Sequence, residues 1–259
     1  MPFAEFGDVR IHYRWNGAED APVVVLSNSL GVDLTMWDAQ AVAWSAKFRV
    51  LRYDTRGHGQ SSVTPGPYSI QQLGCDVVAL MDAVGVKRAH FCGLSMGGQT
   101  GMWLGGNAPD RLLKLVLCNT GAKIGTAESW AGRIEAVTKG GMAGVAPQVI
   151  ERWFTSSFRS KEPAKVSAVQ KLLETTNPQG YAACSEAVRD FDYRERLEKI
   201  AVPTLVIAGS ADPSTPPADG RFIAEQIAGA RFVELNAAHL SNIEDEARFR
   251  KEVEDFLSA

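Results

Sequence analysis

Short apolar runs punctuate this chain at intervals that suit a sheet more than a bundle. Val23 to Asn28, Phe48 to Asp54, Ala89 to Gly93, Leu112 to Asn119, Thr204 to Gly209 and Arg231 to Leu235 are rich in branched or aromatic side chains. Such runs, with little polar alternation, are the mark of strands covered on both faces. Phe3 to Phe6 and Val9 to Trp15 instead alternate around Gly7-Asp8, which predicts an amino-terminal hairpin. Helical segments separate most of the later runs. Ile70, Leu73, Val77, Leu80, Met81 and Val84 follow three- and four-residue steps and place one apolar stripe on a helix. This alternation predicts an α/β fold with a mostly parallel, eight-stranded sheet and helices on both faces.

The rhythm breaks once. From about Gly121 to Lys199 there is no strand-like run, while Trp130 to Lys139, Val145 to Phe154, Val166 to Thr176 and Tyr181 to Val188 suit helices. That is too long for a simple connection, so it predicts a helical cap, residues 121–199, inserted after the sixth strand of a core formed by residues 1–120 and 200–259.

Composition narrows the class. A chain of 259 residues with 45% apolar side chains suits one large globular domain carrying an insertion. A net charge of -3, with its positive residues scattered, offers no basic face to nucleic acid or to anionic lipid. The first residues lack the charged start and apolar core of a signal peptide, and no apolar run reaches the roughly 18 residues that span a bilayer. A cytoplasmic protein is expected. Cys75, Cys92, Cys118 and Cys184 lie far apart among apolar neighbours, without metal-binding spacing, and read as buried, reduced thiols. No cofactor and no metal are expected.

The strongest chemical signal is Gly93-Leu94-Ser95-Met96-Gly97, a G-x-S-x-G placed between a strand-like run and a helix. In that context the glycines relieve crowding around a serine held on a sharp turn, exposing its hydroxyl above the sheet. Such a hydroxyl needs a base, and the base needs an acid to fix its tautomer. Asp212 follows the run at Thr204 to Gly209, and His239 follows the last strand-like run, giving the chain order Ser95, Asp212, His239. His12 in the hairpin and His90 at the foot of a strand read as structural. His58, between Gly57 and Gly59, also follows a strand and reads as a structural residue of a tight loop. An aspartate at the elbow would suit a dehalogenase or epoxide hydrolase, but Ser95 stands there.

With Asp54-x-Arg56-Gly57-x-Gly59-x-Ser61 and Gly209-x-x-Asp212-x-x-Thr215-Pro216, these motifs resemble the α/β-hydrolase superfamily over essentially the whole chain. The stretches from Leu26 to Gly31, Cys92 to Gly98, Leu117 to Thr120 and His239 to Glu244 resemble, more narrowly, the 3-oxoadipate enol-lactonase family of aromatic catabolism. Some members of that family continue into a decarboxylase domain; a chain ending at Ala259 resembles the lactonase alone. The chain departs from the wider superfamily in having Asn28-Ser29 where His-Gly is common, and Ala238 where glycine often precedes the catalytic histidine.

The resemblance implies hydrolysis of 3-oxoadipate enol-lactone through an acyl-enzyme, with Ser95 as nucleophile, His239 as base and Asp212 as its partner. It places oxyanion donors at the backbone N–H groups of Leu30 and Met96. The substrate carries a carboxylate, and Trp130 and Arg133, three apart on one helical face, are the pair that would receive it. Arg152, Trp153 and Phe154 form a second such cluster, expected to pack. The partner expected is thus a small carboxylate-bearing lactone. The rivals are a general carboxylesterase or other small-acid hydrolase with perhydrolase side activity, and a ligand-binding protein that has lost catalysis.

Overall fold

The computed structural model describes residues 2–259. Among them, strands β1 (Phe3–Phe6), β2 (Val9–Asn16), β3 (Val23–Ser27), β4 (Arg49–Tyr53), β5 (Ala89–Leu94), β6 (Leu112–Cys118), β7 (Thr204–Gly209) and β8 (Arg231–Leu235) form one sheet. Their order is β1-β2-β4-β3-β5-β6-β7-β8. The hairpin and the β2–β4 pair are antiparallel, and every later pair is parallel. The expected eight-stranded, mostly parallel sheet is therefore present, with strand ends moved by a residue or so.

Helices α1 (Asp38–Trp44), α2 (Ile70–Ala83), α3 (Met96–Asn107), α9 (Pro217–Gln226), α10 (Ser241–Glu244) and α11 (Glu246–Ser258) accompany the sheet. Between β6 and β7 lie α4 (Ala127–Gly140), α5 (Ala146–Trp153), α6 (Ser156–Lys161), α7 (Pro163–Thr175) and α8 (Pro178–Asp190).

The two-residue period of the strands sorts side chains into two cores. Val24 and Leu26 of β3 join Trp37, Trp44, Phe249 and Val253 on one face. Val25 joins Val77, Leu80, Met102 and Leu104 of α2 and α3 on the other. All of these side chains are essentially inaccessible, and each contributes about 1.5–3 kcal/mol by leaving water. The Trp37 and Trp44 rings lie 6.1 and 6.4 Å from Phe249, tying α11 to the sheet. The strands between are thereby fixed, and their carboxyl ends become a rigid platform for loops.

Local chemistry moved several helix starts. Helix α4 begins before Trp130 because Thr126 and Ser129 cap each other: Thr126 Oγ1 accepts from the Ser129 N–H at 3.2 Å, and Ser129 Oγ accepts from the Thr126 N–H at 3.1 Å. Pro163 and Pro178 open α7 and α8, where a missing N–H costs nothing. Cys75 corrects the cysteine expectation, since it is exposed while Cys92, Cys118 and Cys184 are buried. It sits on α2 off the stripe of Ile70, Leu73 and Val77, so the helical period turns it outward. Among the described residues, no helix is long and apolar enough to cross a membrane.

Candidate active site

Strand β5 ends at Leu94, and Ser95 turns the chain into α3 with φ 58° and ψ -112°. A positive φ on a residue with a Cβ is strained, at a cost on the order of 1–3 kcal/mol. Backbone bonds hold it there: the Ser95 N–H donates to the Cys118 carbonyl at 2.9 Å, and the Ser95 carbonyl accepts from Thr120 Oγ1 at 2.7 Å. The flanking glycines answer to close approach. A Cβ on Gly93 would lie 2.1 Å from the Gly97 carbonyl oxygen, and one on Gly97 would lie 2.3 Å from that of Ser27. The elbow and the loop after β3 therefore meet backbone to backbone, joined by the Gly97 N–H donating to the Asn28 carbonyl at 3.1 Å.

That loop is braced from several sides. Asn28, wholly buried, donates from Nδ2 to the Tyr53 carbonyl at 2.9 Å. Gly31, at φ 92°, donates its N–H to His58 Nε2 at 2.8 Å and accepts at its carbonyl from Thr176 Oγ1 at 2.8 Å. To accept, His58 Nε2 must carry its lone pair, so the imidazole is neutral with its proton on Nδ1. Burial favours that state, pushing the His58 pKa down to about 4. Leu30, just before Gly31, reaches the wall of the cavity above Ser95, while Met96 lies behind the serine as the first residue of α3.

The acid and the imidazole meet on the neighbouring loops. His239 Nδ1 lies 2.7 Å from Asp212 Oδ2 and 3.3 Å from Thr215 Oγ1. Asp212 Oδ1 accepts from the Ser214 and Thr215 N–H groups at 2.8 and 3.1 Å, and Oδ2 accepts from Thr215 Oγ1 at 2.7 Å and Asn119 Nδ2 at 3.1 Å. Burial opposes a charge on Asp212, yet His239 and these donors hold its pKa below the ordinary carboxylate value. Among the described residues, Ser95 Oγ and His239 share no hydrogen bond, although both line the same cavity. Free enzymes often hold this contact loosely until substrate is bound.

The other histidines lie elsewhere. His12 Nδ1 pairs with Asp54 Oδ2 at 2.7 Å below the loop after β4, and His90 meets the Phe48 ring edge-on.

The cavity above Ser95 has a volume of about 150 Å³ and takes Trp130, Arg133, Arg152, Trp153 and Tyr181 from α4, α5 and α8. Trp130 is fixed by Nε1 donating to the Ile124 carbonyl at 2.7 Å, and the Arg133 guanidinium lies 4.9 Å from its ring centre. Trp153 stacks on the His239 ring, 6.3 Å between centres and 28° apart in plane. Arg152 and Trp153 thus border the site instead of serving only to pack α5, which corrects the expectation for that cluster; Phe154 does pack, against Phe158. Sequence reasoning also passed over Asn119, whose Nδ2 additionally holds the Ala238 carbonyl at 3.1 Å and whose Oδ1 accepts from Ser241 Oγ at 2.5 Å. Among the described residues, the cavity wall carries no acidic side chain, and no cluster of His, Cys, Asp and Glu is placed to hold a metal ion.

A serine on a strained strand-to-helix turn, with a histidine–carboxylate pair on the next loops, defines a hydrolase on a doubly covered sheet. Residues 22–246 match the family described as alpha/beta hydrolase fold, and the chain belongs to that family. Within it, the chain is 43% identical over 247 residues to 3-oxoadipate enol-lactonase 2 of Acinetobacter baylyi, covering 95% of this chain and 92% of that one. It is 44% identical over 234 residues to 3-oxoadipate enol-lactonase 1 of the same organism, covering 90% and 88%. The solved enol-lactonase of Burkholderia xenovorans LB400 superposes with a TM-score of 0.98 at 47% identity over the whole of both chains.

Proposed function

We propose that this protein hydrolyses 3-oxoadipate enol-lactone to 3-oxoadipate, a step in the catabolism of protocatechuate and catechol. The observation that carries this reading is the cavity over Ser95, which holds arginines and no acid and so suits an ester that is itself an anion. The similarity to the two Acinetobacter enol-lactonases supports it.

In this reading Ser95 attacks the lactone carbonyl while His239 takes its proton, and Asp212 steadies the imidazolium. The Leu30 and Met96 N–H groups receive the negative oxygen, the latter helped by the positive end of the α3 dipole. The enol leaves and ketonises, which makes ring opening hard to reverse. Water activated by His239 then frees the serine. Arg133, held over Trp130, grips the substrate carboxylate.

The test compares the enol-lactone with a neutral nitrophenyl ester. Expected is a higher kcat/KM for the lactone, falling on the order of 10- to 100-fold in Arg133→Ala, the range for losing one charged hydrogen-bonding partner. Mass detection of an acyl group on Ser95 completes the assignment. A preference for the neutral ester that Arg133→Ala leaves untouched would overturn it.

A further inference from the structure

The lactone carries one carboxylate, yet two guanidinium groups face the cavity. Arg133 projects from α4 and Arg152 from the last turn of α5, and among the described residues neither forms an ion pair with a carboxylate. Burial, with repulsion from Arg133 added to it, works against the charge on Arg152, while Asp212 and Tyr181 favour it. Gathering like charges in this way is unfavourable, and a ligand with two negative groups relieves both of them.

The positions of the two cations differ. Arg133 lies against Trp130. Arg152 adjoins the acid–imidazole side, with Nη2 donating to the Pro213 carbonyl at 3.4 Å beside Asp212, and its neighbour Trp153 stacked on His239. Both arginines also border a second cavity of about 260 Å³ between α4 and α5, bounded by Gly132 and Gln148 among others. Each guanidinium therefore stands between an inner chamber and an outer one.

Hydrolysis changes the charge of the ligand at the moment this geometry can use it. One water adds across the acyl C–O bond, the enol oxygen takes a proton and ketonises, and the acyl carbon becomes a carboxylic acid that ionises with release of one proton. A monoanion has become a dianion. We propose that Arg133 and Arg152 together form a dicarboxylate site, in which Arg152 receives the carboxylate that hydrolysis creates while Arg133 keeps the one the substrate brings. The product leaves the serine by passing its new carboxylate to Arg152, at the threshold of the outer cavity. The order of events rests on the lactonase reading, but the capacity for dicarboxylates does not.

Calorimetric titration at low salt with adipate and with its monomethyl ester tests this without any turnover. Adipate should bind at least tenfold more tightly than the monoester, and Arg152→Gln should reduce that ratio to within twofold of one. Gln148→Glu is a second route, because a carboxylate four residues before Arg152 on α5 would occupy its guanidinium and shrink the ratio while leaving the fold of an exposed helix face intact. Arg152→Lys should restore part of it. Equal affinity for the two ligands in the unaltered protein, or a ratio that survives both Arg152→Gln and Gln148→Glu, overturns the proposal. A protein that prefers adipate but does not open the lactone overturns the proposed function alone, and one that opens the lactone without preferring adipate overturns only the dicarboxylate site.

Discussion

Replacing His58 with alanine tests whether a buried imidazole aims the donor loop. His58 Nε2 accepts from the Gly31 N–H at 2.8 Å, one residue beyond Leu30. Alanine leaves that buried N–H without a partner, at a cost of about 1–3 kcal/mol, and the loop recovers part of this only by moving toward another acceptor. Any such movement swings the Leu30 N–H away from the oxyanion. Complete loss of one oxyanion donor typically costs on the order of 100- to 1000-fold in rate. Here the loop keeps three other anchors, namely Asn28 Nδ2 on the Tyr53 carbonyl, the Gly97 N–H on the Asn28 carbonyl, and Thr176 Oγ1 on the Gly31 carbonyl. The expected fall in kcat is therefore smaller, about tenfold, or roughly 1.4 kcal/mol of transition-state stabilisation. Steady-state rates on the enol-lactone and urea unfolding of the same samples separate the two effects. KM should change little, and His58→Gln, whose amide oxygen can accept, should recover part of kcat. A His58→Ala protein that loses stability but keeps kcat within twofold would refute the aiming role.

Two further outcomes follow from the same geometry. The His58 pKa of about 4 lies below the ordinary 6.5 because the folded site excludes the proton that the unfolded chain accepts, so its stabilising effect is full above pH 6.5 and is lost as pH falls toward 4. The lost amount is on the order of 3 kcal/mol. Burial raises the carboxyls of Asp54 and Asp76, which works in the opposite direction, so the quantity to measure is the difference between the unaltered protein and His58→Gln in urea midpoints from pH 7 to 4.5. Superimposable pH curves would contradict this. Asn119→Ala should lower kcat about tenfold with little change in KM, because Asp212 and the Ala238 carbonyl lose the amide that spaces them. Asn119→Ala with unaltered kcat would make that amide purely architectural.

What the sequence disclosed depended on the range of the interaction. Strands β3 to β7 were legible because burial on both faces writes itself as unbroken apolar runs, and Ser95, Asp212 and His239 stand out in the sequence because each follows a strand in a recognisable setting. Helix α6 was missed because Ser156–Lys161 is short and carries no apolar stripe. The outward turn of Cys75 and the Thr126–Ser129 cap do carry local signals, in the helical period of α2 and in the Thr-x-x-Ser spacing. By contrast, the bond from Gly31 to His58 and the stacking of Trp153 on His239 join residues far apart in the chain, and no spacing announces them. The second arginine of the cavity belongs to the same group: Arg152 follows the helical period of α5, but which wall it faces is decided by how α4 and α5 pack.

The backbone at Ser95 also bears on how this protein could drift. Glycine adopts φ 58° without strain, so the residue that would best suit the fold at position 95 is one that cannot perform the reaction. Loss of the hydroxyl through Ser95→Gly would relax the turn and firm up the molecule even as it silenced it. Under the proposed function, chains freed from the need to turn over substrate would therefore meet little stability barrier to an inert descendant, since the strain relieved offsets the extra chain entropy that a glycine loses on folding.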